Sequence, residues 1–187
     1  MVQSPVKPLT LEEFLTQPET KPASEFINGQ VIQKPMPQGE HSRIQNKLST
    51  KIETAIEPEK IGLVFTELRC TFAGRAIVPD IAVFQWDNIP RKDNGRIANS
   101  FPIAPDWMIE ILSPGQSQTQ VMKKILNALE HGTQLGWLID PSEDAVIIYF
   151  PDNKVSLFID EDESLPTPDF VGDFQLTAPE IFAWLTP

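Results

Sequence analysis

The stretch Asp106–Pro114 reads DWMIEILSP, and its run of apolar residues predicts a strongly buried strand. Ser113-Pro114-Gly115 ends that strand, and a helix is predicted from about Ser117 to His131. The stretch Leu135–Asp140 predicts the next buried strand. Strands and helices that follow one another in this order favour an α/β or α+β fold with a mixed sheet.

The segments on either side of this unit add further helices and strands. The pattern Thr10-Leu11-Glu12-Glu13 is typical of a capping box that opens a short helix, to about Thr16. Asn28-Gly29 is typical of a two-residue turn, which predicts a hairpin over Glu25–Ile32. The other predicted elements are a helix at His41–Ile56 with an apolar residue at every fourth position, strands at Gly62–Phe72 and Ile77–Phe84, a hairpin formed by Ala145–Phe150 and Lys154–Ile159, and a last helix at Pro179–Leu185.

The fold class expected from these elements is α/β (α+β), with a mixed central sheet flanked by helices and preceded by a short helix and a hairpin. A length of 187 residues suits one domain over 1–187, with residues 1–9 as a flexible arm. No run of about 18 apolar residues occurs, so we expect no membrane span and no membrane partner. Cys70 is the only cysteine, and the N-terminus lacks a secretory apolar stretch, so we expect a cytoplasmic protein.

The net charge of −11 argues against strong binding to nucleic acid, because phosphate contacts need lysine and arginine. The acidic excess is concentrated in the last third of the chain, where Lys154 is the only basic residue after Lys124. The most basic segment is a predicted surface loop at residues 87–104, which contains Arg91, Lys92 and Arg96. This loop, together with Arg43, Lys47 and Lys51 of the predicted helix at His41–Ile56, could contact backbone phosphates; the alternative is an ordinary solvated surface. The charge pattern therefore permits a DNA partner but predicts weak non-specific binding.

Two acidic residues lie in predicted strands among apolar neighbours, Asp80 in AIVPDIAVF and Glu110 in WMIEILSP. A carboxylate in such a place is costly unless a partner compensates its charge. Carboxylate and carbonyl oxygens are the ligands that Mg²⁺ prefers, and Mn²⁺ is the alternative ion. Asp80, Glu110 and the carbonyl of Ile111 therefore make a candidate metal site. The alternative is that each acid lies at a strand end or pairs with an arginine.

A cation near such a site would come from the helix that follows Glu110. Val121, Ile125 and Ala128 (or Leu129) predict the packed face of that helix. Lys124 lies at the edge of this face and could reach over the strand ends. Lys123 could be placed there too, so the pattern of residues leaves the choice open. The alternative for both lysines is a solvated helix edge.

The chain resembles the Uma-type restriction endonuclease family, within the PD-(D/E)xK nuclease superfamily, from about Leu9 to Leu185. The resemblance is carried by LTLEEF at 9–14, EFING at 25–29, His41, Pro79-Asp80, APDWMIEILSP at 104–114, Lys124, Gly132, WLIDP at 137–141 and IFAWL at 181–185. It implies a restriction-endonuclease-like fold that hydrolyses DNA phosphodiester bonds with Mg²⁺ or Mn²⁺. Nucleases of this class often act as pairs, so the resemblance also implies a homodimer.

The resemblance implies roles for individual residues. Asp80 and Glu110 match the metal ligands, but the lysine expected two residues after Glu110 is replaced by Leu112. In this family the lysine lies on the following helix, which matches Lys124, eight residues before Gly132. Glu25 matches an acid that lies near the metal or binds a second one, and its alternative is a solvated hairpin edge. A further match is His41 at a helix start, where the alternative role is a hydrogen bond at the helix end.

Some supporting residues depart from the family pattern. Gln120 and Ala128 stand where an acid and an aromatic residue are usual, and Leu135-Gly136 replaces an acid–aromatic pair. Residues that orient metal ligands affect metal affinity and activity, so these changes question the activity more than the fold.

Three hypotheses follow for the function. The protein is a metal-dependent endonuclease, or it is a weak or inactive protein of the nuclease fold with a binding or regulatory role. In the third hypothesis the acids only stabilise the fold.

Overall fold

Two β-sheets, four α-helices and two short 3-10 helices lie in the part of the chain that a computed structural model describes, residues 9–160 and 162–186. The expected flexible arm lies almost entirely outside the described residues. The helices are α1 Leu11–Leu15, α2 Gly39–Ile56, α3 Gln118–Leu129 and α4 Ala178–Ala183. The strands are β1 Ser24–Ile27, β2 Gln30–Gln33, β3 Gly62–Thr66, β4 Cys70–Phe72, β5 Arg75–Ile77, β6 Ile81–Gln85, β7 Trp107–Ile111, β8 Leu135–Asp140, β9 Ala145–Tyr149 and β10 Val155–Phe158. Among the described helices, none is long and apolar enough to cross a bilayer.

The larger sheet has six strands in the order β10-β9-β8-β7-β6-β3. β7 and β8 are parallel, with Glu110 opposite Leu138, and α3 makes the crossover between them. The other neighbouring pairs in this sheet are antiparallel. The predicted mixed central sheet is therefore confirmed, and the DWMIEILSP stretch lies in its middle.

Helices cover both faces of the six-stranded sheet. The stripe of α2, with Ile44, Leu48, Ile52 and Ile56, packs with α4 over the face that holds Trp107 and Trp137. The stripe of α3 packs over the opposite face. There, an added Cβ at Gly136 would lie 2.2 Å from Cγ2 of Ile125, so a glycine in β8 permits the close approach of α3.

The smaller sheet is antiparallel, in the order β2-β1-β5-β4. The predicted hairpin is confirmed, with Asn28 and Gly29 at positive φ in the turn between β1 and β2. Phe26 of β1 packs with Phe14 of α1 and Ala76 of β5 in a small separate core. The capping box at Thr10 is confirmed as well, with both reciprocal hydrogen bonds to Glu13.

Two predicted strands are each divided between the two sheets. The prediction of one strand over Gly62–Phe72 is wrong, because β3 ends at Thr66 and β4 begins at Cys70 in the smaller sheet. The prediction of one strand over Ile77–Phe84 is wrong as well, because Val78-Pro79-Asp80 separates β5 from β6. Pro79 has no N–H for a sheet ladder, and the N–H of Val78 donates to the carboxylate of Glu25 instead. Asp80 therefore lies just before a strand rather than inside one.

Candidate functional site

The two sheets meet at the start of β6, and this is where the acidic residues come together. Ile81 lies opposite Ile109 in the antiparallel pair β6–β7, so Asp80 and Glu110 are brought to the same end of these strands. The N–H of Ile111 donates to Oδ2 of Asp80 at 2.7 Å. The backbone of β7 thus holds the Asp80 carboxylate beside Glu110. A role for the Ile111 carbonyl as a metal ligand stays a prediction.

Glu110 contacts the lysine of the following helix. Successive residues of β7 face opposite sides of the sheet, and Met108 and Leu112 lie in the core under α3. Glu110 has the same parity, and its Oε1 lies 2.9 Å from Nζ of Lys124. Lys124 is buried in α3 whereas Lys123 is exposed, so the structure brings Lys124, and not Lys123, to the acids.

Glu25 shares the same lysine. Its Oε1 lies 2.9 Å from Nζ of Lys124 and also accepts the N–H of Val78 at 2.8 Å. The side chain of Glu25 is 6% exposed, so it is not the solvated edge of a hairpin. The smaller sheet therefore contributes a buried carboxylate that holds Lys124 between two acids.

Asp80 has a second set of neighbours on the other side of the junction. Nζ of Lys34, at the end of β2, lies 2.6 Å from Oδ1 of Asp80 and also contacts Glu67 at 3.1 Å. His41, in the first turn of α2, places Nε2 3.3 Å from the same Oδ1. Its Nδ1 lies 3.3 Å from Oγ of Ser113. We refer to Lys34, His41, Glu67 and Asp80 as the Asp80 cluster, and to Glu25, Glu110 and Lys124 as the Glu110 cluster.

The pKa values follow from burial and from these charges. Burial raises the pKa of Glu110 to about 8, and the Asp80 and Glu25 charges act in the same direction while Lys124 opposes them. Burial alone would raise the pKa of Asp80 too, but its contacts with His41 and Lys34 outweigh burial and hold it below its usual range. Burial alone would lower the pKa of Lys124, but the charges of Glu110, Glu25 and Asp80 outweigh burial and raise this pKa above its usual range. In the absence of metal, Glu110 is thus the acid that holds a proton near neutral pH.

The residues present fit a divalent cation. Four carboxyl groups, from Glu25, Glu67, Asp80 and Glu110, face two ammonium groups, which leaves two negative charges in excess when all are ionised. Ligand atoms of His41, Glu67 and Asp80 lie within 4.8 Å of one another, so this group could hold a metal. In the described residues, Nε2 of His41 and Oε1 of Glu110 are buried without a well-formed hydrogen bond. The ammonium of Lys34 already lies against Asp80, which shows that this carboxylate can hold a positive charge.

Three cavities open around this junction and share Gln116 in their walls. One of about 400 Å³ reaches Glu25 and Lys124 and is also lined by Arg75 and Lys123. Another of about 370 Å³ reaches Asp80, His41 and Glu67. The third, of about 550 Å³, lies at the carboxyl ends of β7 and β8 beside His41. Lys34 lines both the cavity of about 400 Å³ and the cavity of about 370 Å³, so it lies in the wall of a cavity beside each of the two clusters.

The basic segments expected to contact phosphate lie elsewhere. The loop at residues 87–104 leaves β6 at Gln85, the end opposite to Asp80, roughly 16 Å away for five residues of strand. On α2, Arg43 donates to the carbonyl of Trp184 and Lys51 pairs with Glu180 of α4. These two side chains therefore face the C-terminal part of the chain, whereas Lys47 is exposed without such a contact in the described residues.

Sequence reasoning did not find Lys34 or Glu67. Lys34 follows an exposed edge strand and precedes Pro35, and Glu67 follows Thr66 in what looked like one continuous strand. Neither position breaks an apolar pattern in the way that Asp80 and Glu110 do. The signal was available only from the folded chain, where the end of β2 passes over the start of β6.

The comparisons with known proteins agree with the fold and with the suspected family. Residues 11–179 match the family Uma2, described as "Putative restriction endonuclease". A crystal structure of "a putative nuclease belonging to DUF820" from Anabaena variabilis ATCC 29413 is 54% identical in sequence, with a TM-score of 0.93. The alignment covers 95% of this chain and 99% of that chain. No functionally curated protein matches the chain. Since the family match spans most of its length, the chain belongs to the Uma2 family.

Proposed function

We propose that this protein is a metal-dependent endonuclease that hydrolyses DNA phosphodiester bonds. The observation that carries the proposal is the buried junction where Asp80, Glu110 and Lys124 come together, within a group of four carboxyl groups and two ammonium groups. Membership of a family described as "Putative restriction endonuclease" supports the same reaction class. Carboxylates can hold a divalent cation that activates water, and a nearby lysine can stabilise the negative charge that develops on the phosphate.

Asp80 and Glu110 would hold the metal, with the Ile111 carbonyl or His41 completing the protein ligands. Hard carboxylate oxygens favour Mg²⁺, and Mn²⁺ suits the same donors. When bound, such an ion neutralises charge on the phosphate and lowers the pKa of a bound water. Glu110 must lose its proton to act as a ligand, since metal ligands bind in the deprotonated form.

Lys124 has the position of a group that stabilises charge on the phosphate. Its ammonium is buried between Glu25 and Glu110 at 2.9 Å from each, so both its place and its protonation are held firmly. A buried ammonium in a site with little water acts on a developing negative charge more strongly than an exposed one. Glu25 acts through Lys124, as the residue that positions it.

The cavity beside Lys124 supports a path for the DNA backbone. Its walls carry the basic side chains of Lys34, Arg75 and Lys123 next to Lys124, in a chain with a net charge of −11. Basic side chains near the reacting phosphate fix the register of the strand. Overall affinity for DNA is then expected to be low and to fall with salt.

Cleavage of supercoiled plasmid and of single-stranded DNA with Mg²⁺ or Mn²⁺ tests the proposal. Wild type should nick DNA only with metal, and Asp80→Asn and Lys124→Met should lose at least about a hundredfold in rate. Lys154→Met, an exposed lysine on the β9–β10 turn, is the control and should behave as wild type. Cleavage that survives both site changes would come from a contaminant and would refute the proposal.

A second candidate function is a nuclease fold that binds or regulates without cutting. The contact of Lys34 with Asp80 at 2.6 Å favours it, because an internal ammonium already satisfies the carboxylate. Titration with Mn²⁺ separates the two, since the endonuclease predicts binding that depends on Asp80 and Glu110. The homodimer implied by the resemblance stays a prediction, and sedimentation of the purified protein tests it.

A further inference from the structure

Lys34 makes an unusually complete set of contacts for a side chain that follows an exposed strand. Its Nζ lies 2.6 Å from Oδ1 of Asp80 and donates to the carbonyl of Val78 at 2.8 Å. It also lies 3.1 and 3.3 Å from the two carboxylate oxygens of Glu67. An ammonium has three protons, and three separate groups accept them here. The side chain is 8% exposed, so water contributes little to its solvation.

While Lys34 is in place, its ammonium occupies Oδ1 of Asp80. The other oxygen of Asp80, Oδ2, accepts the N–H of Ile111, and Oδ1 faces both Nζ of Lys34 and Nε2 of His41. A divalent cation bound to Oδ1 would lie within a few ångströms of the Lys34 ammonium, where like charges repel strongly. Metal and ammonium therefore compete for the same carboxylate oxygen.

Glu67 offers the displaced ammonium another carboxylate. Its side chain is 39% exposed, against 2% for Asp80, and both of its oxygens already lie near Nζ. A lysine stem has four flexible carbons, so a small rotation keeps the pair with Glu67 while it leaves Asp80. The charge of Lys34 would then remain compensated in the metal-loaded site.

We propose that Lys34 is the resident counter-ion of Asp80, and that a divalent cation displaces it toward Glu67, where its ammonium becomes a binding group for the substrate phosphate. The second half of this statement rests on the proposed endonuclease function. It follows from the place of Lys34 in the walls of both the cavity beside Lys124 and the cavity beside Asp80. Lys34 would thus couple metal uptake to the formation of a phosphate site.

The test compares Lys34→Met with Lys154→Met, which makes the same chemical change at an exposed position away from the junction. Calorimetric titration with Mn²⁺ alone, without DNA, measures the first half. We expect Lys34→Met to bind Mn²⁺ at least about tenfold more tightly than wild type, because no ammonium has to be displaced. Lys154→Met should bind as wild type does. Equal affinity in all three proteins, or weaker binding by Lys34→Met, would overturn the proposal.

Loss of one partner of a buried ion pair can prevent folding, so a measurement on the wild-type protein is needed as well. The side-chain Nζ resonances of ¹⁵N-labelled lysine can be followed during a Mg²⁺ titration, with Lys34→Arg used for assignment. We expect the Lys34 signal to shift at the metal concentration that saturates the site, and the Lys154 signal to stay constant. A Lys34 signal unchanged at saturation would overturn displacement.

Cleavage kinetics measure the second half at saturating Mn²⁺. We expect Lys34→Met to raise KM for DNA by about tenfold with a smaller effect on kcat, as loss of a charged phosphate contact does. An unchanged KM would overturn the phosphate role. If no protein form cleaves DNA, the proposed function fails while the Mn²⁺ affinities still decide displacement. If wild type cleaves DNA and Lys34→Met matches it in both assays, the proposed function stands and the role of Lys34 is refuted.

Discussion

Glu110→Gln isolates the buried acid that burial holds in its protonated form. The ordinary pKa of Glu110 is 4.5, and in the folded protein it is raised to about 8. The folded state therefore binds a proton that the unfolded state has lost, and the stability it confers disappears as pH rises from about 4.5 to about 8. A glutamine keeps the shape of the protonated acid and cannot ionise. The variant should thus match wild type in acid and exceed it in alkali.

The size of the effect follows from the same pKa values. One unit of pKa difference corresponds to about 1.4 kcal/mol, so metal-free wild type loses roughly 3 kcal/mol through Glu110 between pH 5.5 and 9. For a chain of this length, that is a fall in Tm of roughly 6–12 °C that Glu110→Gln does not show.

Thermal unfolding in EDTA across this pH range is the assay, with the exposed Glu143→Gln as control. The Tm of the control should follow wild type at every pH. Saturating Mn²⁺ should restore wild-type stability at high pH, because metal binding uses the ionised acid. Parallel curves for Glu110→Gln and wild type in EDTA would refute the reasoning, since they would mean that the carboxyl group is ionised at no cost.

Three further predictions concern the packing of α3 on the sheet, the two lysines of α3 and the hydrogen bonds of Asp106. Gly136→Ala should lower the free energy of unfolding in urea by about 1–3 kcal/mol, because the added Cβ would lie 2.2 Å from a side-chain atom of α3. The control Gly39→Ala meets no atom within 4 Å and should be neutral, so similar losses in both variants would contradict the packing. Lys124→Met should lower kcat strongly, while Lys123→Met should affect mainly KM; equal effects on kcat would contradict the placement of Lys124. Asp106→Ala should lower the free energy of unfolding in urea by about 3 kcal/mol or more, because three side chains and one backbone N–H donate to the Asp106 carboxylate. A loss below about 1 kcal/mol would argue against these hydrogen bonds.

Most of the fold could be predicted because its elements have distinct periods. The four-residue spacing of α2 and the continuous apolar run of β7 each have one structural solution, a helix on a sheet and a strand covered on both faces. The capping box at Thr10 and the Asn28-Gly29 turn depend on local chemistry, and both are present in the structure. Local signals of this kind do not depend on the rest of the chain.

The division of strands between two sheets could not be predicted in this way. Cys70 and Ile77 are as buried in the smaller sheet as Ile81 is in the larger one, so the apolar pattern runs through without a break. Pro79 was the one local sign of an interruption. The interruption at Pro79 also depends on Glu25, which accepts the N–H of Val78 and lies more than fifty residues earlier in the sequence.

The candidate site was accessible from sequence only where burial makes a charge conspicuous. Asp80 and Glu110 stood out because apolar neighbours surround them, and the structure brings both to one junction with Lys124. Lys34 and Glu67 stand among polar and turn-forming residues, where a charge is ordinary. Their contact with Asp80 arises from the packing of the hairpin against the larger sheet, which no local pattern encodes.

A crystal structure with Mn²⁺ tests the central claim most directly, because anomalous scattering locates the ion without reference to activity. The account predicts one strong peak about 2.1 Å from a carboxylate oxygen of Asp80 and from one of Glu110, with Nζ of Lys34 turned toward Glu67. A site empty at saturating Mn²⁺, with Lys34 still 2.6 Å from Asp80, would contradict it. So would an ion bound by His41 and Glu67 without Glu110.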